Sequence, residues 1–556
     1  MKKSFYAVLA AIFVIAVGAY YYFTFPSINI HEPMFWGVLL LIFLTLTVFF
    51  AVRSLRGMLK NHGFHVRDVK GFPILAKIFL ALSALVLILY IGGSIAGSTV
   101  FRARAYASLL SVKEYEFSED IEETNQVTDI ALMDTESARK FGRRKIGSLS
   151  DVVSQYEVED DYTQISIQGH PMKVSSLKYA SFFKWWNNRS NGIPGYVKVN
   201  PVNSEAEYVA LEKGMKYVPS GYFNYNLQRH VQLTYPTKII SGYHFEIDDE
   251  GKPFYICPTM KPRVGLFGGM DVNGVIICNP VDGACSYYPV NEIPAWVDCV
   301  YEGKLLTQKY DWFGTFSGGF LNSIIGQKGC KITTDDFGYK IIGDDVWAYT
   351  GVTSVNGDQS NIGFVLMNQR TSEAKYYKVS GAEEHSAMES AQGAVQEKRY
   401  EASFPSLINV SGQPTYIMVL KDSAGLVKMY AMVNVEQYNI VATAASQTEV
   451  FSKYRKMIAD GGEVKSDEES WSKKTVTVES VQFVESEDGT VVYVKDTEHG
   501  VYKQAFQDNE DLIRISAGDV ITVYYEQITE DTNEIHPLRK FEFSAESASM
   551  PPEEMD

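Results

Sequence analysis

Apolar residues are spread unevenly along this chain. Three runs fill the first 100 residues, at about Phe5 to Phe25, Met34 to Val52 and Ile74 to Val100, and none as long follows. Each reaches the ~20 apolar residues with which a helix crosses ~30 Å of hydrocarbon. Residues 1–100 are therefore expected to form an anchor of three transmembrane helices.

Beyond Val100 the pattern changes. Residues 101–125 continue as a helix that turns acidic at Glu119 to Glu123, and Asp134 or Thr135 caps a second helix before Glu136-Ser137-Ala138-Arg139-Lys140. Together 101–155 read as a helical stalk. From about Tyr156, short alternating apolar and polar runs punctuated by Gly, Pro and Asn predict antiparallel sheet. Residues 156–459 thus form an α+β domain. An acidic, Gly-containing linker occupies 460–472. Five β-rich runs follow over 473–543: Thr475–Val484, Val491–Lys495, Val501–Phe506, Val520–Gln527 and Leu538–Phe543. They predict a small OB-like β-barrel. The acidic tail 544–556 is expected to be disordered.

The α+β region repeats itself. Gly274–Val290 (GVIICNPVDGACSYYPV), Gly363–Val379 (GFVLMNQRTSEAKYYKV) and Gly425–Val441 (GLVKMYAMVNVEQYNIV) align without gaps. The first two share Asn279 with Asn368 and the doublets Tyr287-Tyr288 and Tyr376-Tyr377. Upstream, Gly251-Lys252-Pro253-Phe254-Tyr255-Ile256 matches Gly412-Gln413-Pro414-Thr415-Tyr416-Ile417. With helices expected at Ala295–Tyr301, Glu383–Gln396 and Ser446–Met457, the unit reads β-β-β-α, a helix laid on an antiparallel sheet. On the phrases "FEIDDEGKPFYI" and "GVIICNPVDGACSYY", residues 240–460 resemble the PepSY-type modules of bacterial envelope proteins. The long insert between Thr259 and Gly274 and the missing Asp/Gly turn in the third copy depart from that pattern. The resemblance implies binding, or restraint of a peptidase, more than catalysis. The whole chain also resembles uncharacterised multi-pass membrane proteins of Gram-positive bacteria.

Charge orients the anchor. Lys2 and Lys3 precede the first run, the loop 26–33 lacks Lys and Arg, and the next loop carries Arg53, Arg56, Lys60, Arg67 and Lys70. By the positive-inside rule the N-terminus is cytoplasmic and everything after Val100 extracytoplasmic. Cleavage of the first run as a signal peptide after Val17-x-Ala19 would leave that outcome unchanged. In the third run, Gly93 and Gly97 lie four residues apart. Such small residues let helices approach closely, either within the anchor's own bundle or in a homodimer.

The chain carries a net charge of −16, while its first 97 residues hold eight basic and two acidic side chains, so the exterior part is strongly acidic. This argues against a nucleic-acid partner and against docking on anionic lipid by charge alone. The five cysteines, Cys257, Cys278, Cys285, Cys299 and Cys330, show no metal-ligand spacing. Cys278 and Cys285 flank a Pro280-Val281-Asp282-Gly283 turn and would lie within disulfide reach in a hairpin. The Asp pairs 160–161, 248–249, 335–336 and 344–345 lie near glycines and read as turns. No linear hydrolase motif, Cys-His pair or P-loop is present. The sequence therefore names no catalytic residue, cofactor or metal. Among its aromatic stretches, Trp312, Phe313 and Phe316, interleaved with Gly, are the candidates for a ligand-facing loop.

These features predict a membrane-anchored extracytoplasmic binding, scaffolding or regulatory protein of a bacterial envelope, with a protein or cell-wall partner. The alternatives are an envelope hydrolase with an unrecognised site and an accessory or sensory subunit of a membrane complex. A deep polar cleft with converging Asp, Glu or His would tell against the binding reading and for the hydrolase, whereas a flat or aromatic groove without such groups would tell against an enzyme.

Overall fold

The computed structural model describes residues 2–61, 73–124, 130–355, 360–460, 472–486, 489–506, 509–525 and 535–543. Residues 461–471 of the linker, the tail 544–556, and Arg67 and Lys70 lie outside these residues. The chain divides into two units, Met1–Ile458 and Ala459–Asp556.

The first unit opens with helices Lys2–Thr24, Pro33–Asn61 and Ile74–Ala96. Two stretches are long and apolar enough to cross a membrane, Pro33–Arg53 and Ile74–Ala96, whereas the apolar part of the first helix among the described residues, Ala11–Thr24, is shorter. The expected three spans thus become two plus this shorter segment, because ~20 residues at 1.5 Å each are needed to cover the hydrocarbon.

Four antiparallel sheets follow, and they share one connectivity. In each, two short strands pair with one edge of a long third strand, the third pairs with a fourth, and the fourth with a fifth. The first sheet is Tyr156–Val158, Thr163–Ile167, His170–Tyr179, Ile193–Val199 and Ala206–Met215. The second is Ile239–Ile240, His244–Ile247, Pro253–Val264, Gly268–Cys278 and Cys285–Pro289. The third is Lys331–Thr333, Gly338–Ile342, Asp345–Ser354, Gly363–Asn368 and Ala374–Tyr377. The fourth is Glu401–Ala402, Ser406–Val410, Gln413–Lys421, Val427–Asn434 and Val441–Ala444.

Local chemistry recurs with the connectivity. Each fourth strand ends at or directly before an asparagine, Asn200, Asn279, Asn368 or Asn434, whose side-chain oxygen accepts from an amide two residues on. This Asx turn reverses the chain into the fifth strand. Between the second and third strands a glycine with positive φ, Gly169, Gly251, Gly343 or Gly412, makes the tight turn. The gapless alignment of Gly425–Val441 with the other two copies is out of step here, since Asn434, not Tyr430, occupies the place of Asn279 and Asn368. The expected helix Ala295–Tyr301 is also corrected. The helix begins at Gly303, after turns held by buried Val297 and Val300. The helix Glu384–Gly393 follows the third sheet in sequence yet packs on the fourth.

The sheets stack through three cores. The first and second sheets enclose Leu177, Val197, Ile247 and Ile276. The second and third enclose Ile256, Val275, Val365 and Met367. The third and fourth enclose Phe364, Leu366, Tyr416 and Met418. Because side chains alternate across a strand, each inner sheet feeds two cores. This explains the tyrosine doublets: Tyr376 enters one core and Tyr377 the next.

Residues 101–155 are not a stalk. Val112–Tyr115 extends the third sheet in parallel with Ala374–Tyr377, and the helix Thr135–Gly147, capped by Asp134, buries Ala138 and Ile146 against the first sheet. Buried Leu110, Phe117 and Ile121 draw this segment into the body.

The second unit is a closed five-stranded barrel built of Ser472–Ser486, Gly489–Asp496, Val501–Ala505, Val520–Tyr525 and Ile535–Phe543. The long first strand pairs with both the second and the fourth, and the third runs parallel to the fifth. Val492, Val494, Ile521 and Val523 fill it.

Candidate functional site

The residues singled out from sequence do not converge. Trp312, Phe313 and Phe316 lie on the helix Gly303–Phe316 and not on a loop. Trp312 rests edge-on against Tyr106 at 5.0 Å, and Phe313 packs beside Tyr310. Gly314, which looked like a loop signal, lets the helix approach the backbone of Lys331. Cys278 and Cys285 are partners in register across a hairpin and are joined by a disulfide. Gly93 and Gly97 lie against a loop of the first unit. They receive the tip of the hairpin between Pro253–Val264 and Gly268–Cys278, where a Cβ on Gly93 would stand 2.7 Å from Leu266. The same tip puts Phe267 against Trp36 and Tyr90, and its Leu266 carbonyl lies 2.9 Å from His31 Nδ1.

A different set of residues does converge, where the first three sheets meet. A cavity of about 530 Å³ is lined by Arg139, Glu159, Asp161, Tyr243, His244, Tyr255, Cys299, Glu302, Lys304, Tyr339 and Gln369, among others. Strand alternation sets its chemistry. On His244–Ile247, Phe245 and Ile247 turn into the first core, so His244 and Glu246 share the opposite face. His244 Nε2 lies 3.1 Å from Glu302 Oε1. Burial pulls the imidazole pKa down, but Cys299 and Glu302 together hold it well above its ordinary value. Burial pushes the Cys299 thiol up, against the pull of His244.

Beneath them, the fully buried Glu246 accepts from the amides of Asp298 at 3.0 Å and Cys299 at 2.9 Å. Burial raises its pKa to about 7 despite those two amides. Asp298 accepts from the Ser166 amide at 2.7 Å, and burial together with Glu246 drives its carboxyl well above the carboxylate range. Ser166 Oγ donates to Asp344, which also accepts from the Gly169 amide, and Asp345 binds Arg370. The Asp344-Asp345 turn of the third sheet thus ties down the first.

Cys299, His244 and Glu302 form a thiol–imidazole–carboxylate row. It carries the residue types of a nucleophile, a base and an orienting acid. Two features oppose that use. The amides of Asp298 and Cys299, which would serve an oxyanion hole, are both occupied by Glu246, and the thiol is buried. The converging His244, Glu302, Glu159 and Asp161 make this the polar cleft set against the binding reading above, but with the amides occupied and the thiol buried, what remains is a cavity of mixed charge with tyrosine walls, suited to a small polar or zwitterionic ligand. Sequence reading missed this group because His244 and Cys299 stand far apart in the chain and meet only through the fold. The alternation in His244-Phe245-Glu246-Ile247 was the one local signal. No family model matches the chain, and no curated protein matches it.

Proposed function

We propose that this chain is a membrane-anchored, extracytoplasmic binding protein of a bacterial envelope, whose first unit offers the cavity around His244 and Glu302 to a small polar ligand. The observation that carries this reading is the cavity itself, with paired charges and tyrosine walls on a frame of sheets. In it the helices Pro33–Asn61 and Ile74–Ala96 span the membrane, the loop between them is cytoplasmic, and both units lie outside. The basic loop after the second helix supports that orientation. The four sheets of like connectivity are copies of one unit, in keeping with the resemblance to PepSY-type modules, and the barrel acts as an OB-like accessory module.

Isothermal titration of the full chain in detergent against soluble peptidoglycan fragments tests the binding. Saturable heat that is lost in Glu302→Gln is expected, and undiminished heat in that variant would reject this cavity as the site. The row Cys299–His244–Glu302 favours a second reading, an envelope hydrolase. Fragments cleaved by the unsubstituted chain but not by Cys299→Ala would establish it. Protease treatment of intact cells tests the topology, and full protection of residues 101–556 would overturn it.

A further inference from the structure

The ends of the apolar helices meet two clusters of aromatic and aliphatic side chains that the body leaves uncovered. The first lies on the helix Phe182–Asn188. Trp185 turns inward and is buried, while Phe183 is 74% exposed, and Phe182 and Trp186 flank it at the surface. Tyr222 and Phe223 complete the cluster, with Phe182 edge-on to Tyr222 at 5.0 Å and Trp185 at 5.8 Å from Phe223. Arg229 fixes its height. Its guanidinium lies 4.4 Å above the Tyr22 ring, donates to the Tyr22 carbonyl at 2.8 Å and donates to the Phe223 carbonyl. Tyr22 also donates to Asn224 at 3.0 Å. The cluster therefore sits level with the last turn of the first helix.

The second cluster follows the helix Gly303–Phe316. Leu321 is 72% exposed, Ile324 60% and Ile325 81%. This helix runs antiparallel to the helix Thr99–Ala107: Leu306 and Tyr310 share a core with Leu110, while Trp312, further along, meets Tyr106. Tyr106 in turn donates to the Gly97 carbonyl at 2.8 Å. The end of the long helix is thereby directed toward the end of Ile74–Ala96. Val100 and Phe101, in the helix Thr99–Ala107 that follows, are exposed as well. Between the two clusters, the Leu266-Phe267 tip rests on Gly93 and Tyr90. Basic residues lie in or next to these segments in the chain: Lys184 and Arg189, the latter stacked on Trp186 at 3.9 Å, and Arg102, Arg104 and Lys328.

We propose that these clusters are two prongs that insert into the leaflet facing the body, so that the first unit lies on the bilayer instead of standing away from it. The occupant is lipid because both clusters are continuous with the ends of the apolar helices. Aromatic side chains flanked by Lys and Arg have the composition that partitions to the headgroup boundary. The proposal rests on the reading that Pro33–Arg53 and Ile74–Ala96 span the membrane.

The test uses the full chain, reconstituted in liposomes at a low protein-to-lipid ratio, with a nitroxide attached at Phe183→Cys or Ile325→Cys. Leu85→Cys, exposed in the third apolar helix, serves as the lipid reference and Tyr438→Cys, on an exposed turn, as the water reference. Protein without an introduced cysteine supplies the background from the buried Cys257, Cys299 and Cys330. The readout is the ratio of collision with lipid-soluble oxygen to collision with a water-soluble nickel chelate. Positions 183 and 325 are expected to give ratios several-fold above position 438 and close to position 85. Ratios like that of 438 at both prongs, with 85 still lipid-like, overturn the proposal. Shielding from both reagents also overturns it, by showing a protein contact. A water-like ratio at position 85 overturns the span reading itself.

Discussion

Glu384 tests whether burial sets the chemistry of this protein as the structure implies. It stands at the start of the helix between the third and fourth sheets, fully buried, where Gly351 N and Thr334 Oγ1 donate to its two oxygens. Burial raises its carboxyl from 4.5 to about 7, and the backbone and hydroxyl donors only partly oppose the rise. A carboxyl whose folded pKa lies above its unfolded pKa binds more protons folded than unfolded. Stability therefore falls as pH rises from about 4.5 to about 7, and the loss is complete above that window. At 1.36 kcal/mol per pKa unit the loss amounts to about 3 kcal/mol. Glu384→Gln keeps an oxygen for Gly351 and an amide for Thr334 but does not titrate. The variant should match the unsubstituted chain near pH 4.5 and exceed it by about 3 kcal/mol at pH 8. Denaturant unfolding of the full chain in detergent, read as the difference between the two proteins at each pH, cancels the titration of Glu246 and Asp298. A difference that stays constant with pH would refute the reasoning.

Further expectations follow from particular contacts. The ammonium of Lys309 is buried between Asp271 Oδ1 and Ser372 Oγ, each at 2.9 Å. Asp271→Ala strands that charge and should cost about 3–5 kcal/mol, whereas adding Lys309→Met should recover most of it in the same unfolding assay. Replacing Cys278 and Cys285 together by Ala opens a short loop and should cost about 2–3 kcal/mol, because the bond limits the unfolded chain. Equal stability of that variant in oxidising buffer would show the bond absent. Gly93→Val drives a side chain into Leu266 and should lower the midpoint of thermal unfolding, and Leu266→Ala in the same chain should restore it. Iodoacetamide should label Cys299 slowly in the folded chain and rapidly after unfolding, since burial keeps the thiol protonated and covered.

Features written in local turn chemistry were legible from the sequence. Gly251 and Gly412 marked the same hairpin, Asn279 and Asn368 the same Asx turn, and Cys278 with Cys285 the same register pair. The barrel strands were legible for the same reason, because alternation of Val-rich runs is a nearest-neighbour signal. Features set by tertiary packing were not. Gly314 and its aromatic neighbours read as a loop because a glycine that permits close helix packing has the same letter as one that breaks a helix. Leu110, Phe117 and Ile121 are too sparse to announce that they tie an apparent stalk to the third and fourth sheets. Asn434 escaped alignment because it lies nine residues after Gly425, whereas Asn279 and Asn368 lie five after Gly274 and Gly363. The cavity was invisible because Glu246, Asp298, Cys299 and His244 come together only when the turns after Pro289 cross the face of the second sheet.

The hairpin seated on Gly93 has a mechanical meaning. Its strand Pro253–Val264 reaches from the cavity wall, where Tyr255 stands, to the tip beside the helix ends. At ~3.3 Å per residue this is a strut of about 30 Å, and it is buried along most of its length. A ligand in the proposed site would thus be held at a set height above the helix ends, within reach only of what lies close to the surface from which those helices emerge.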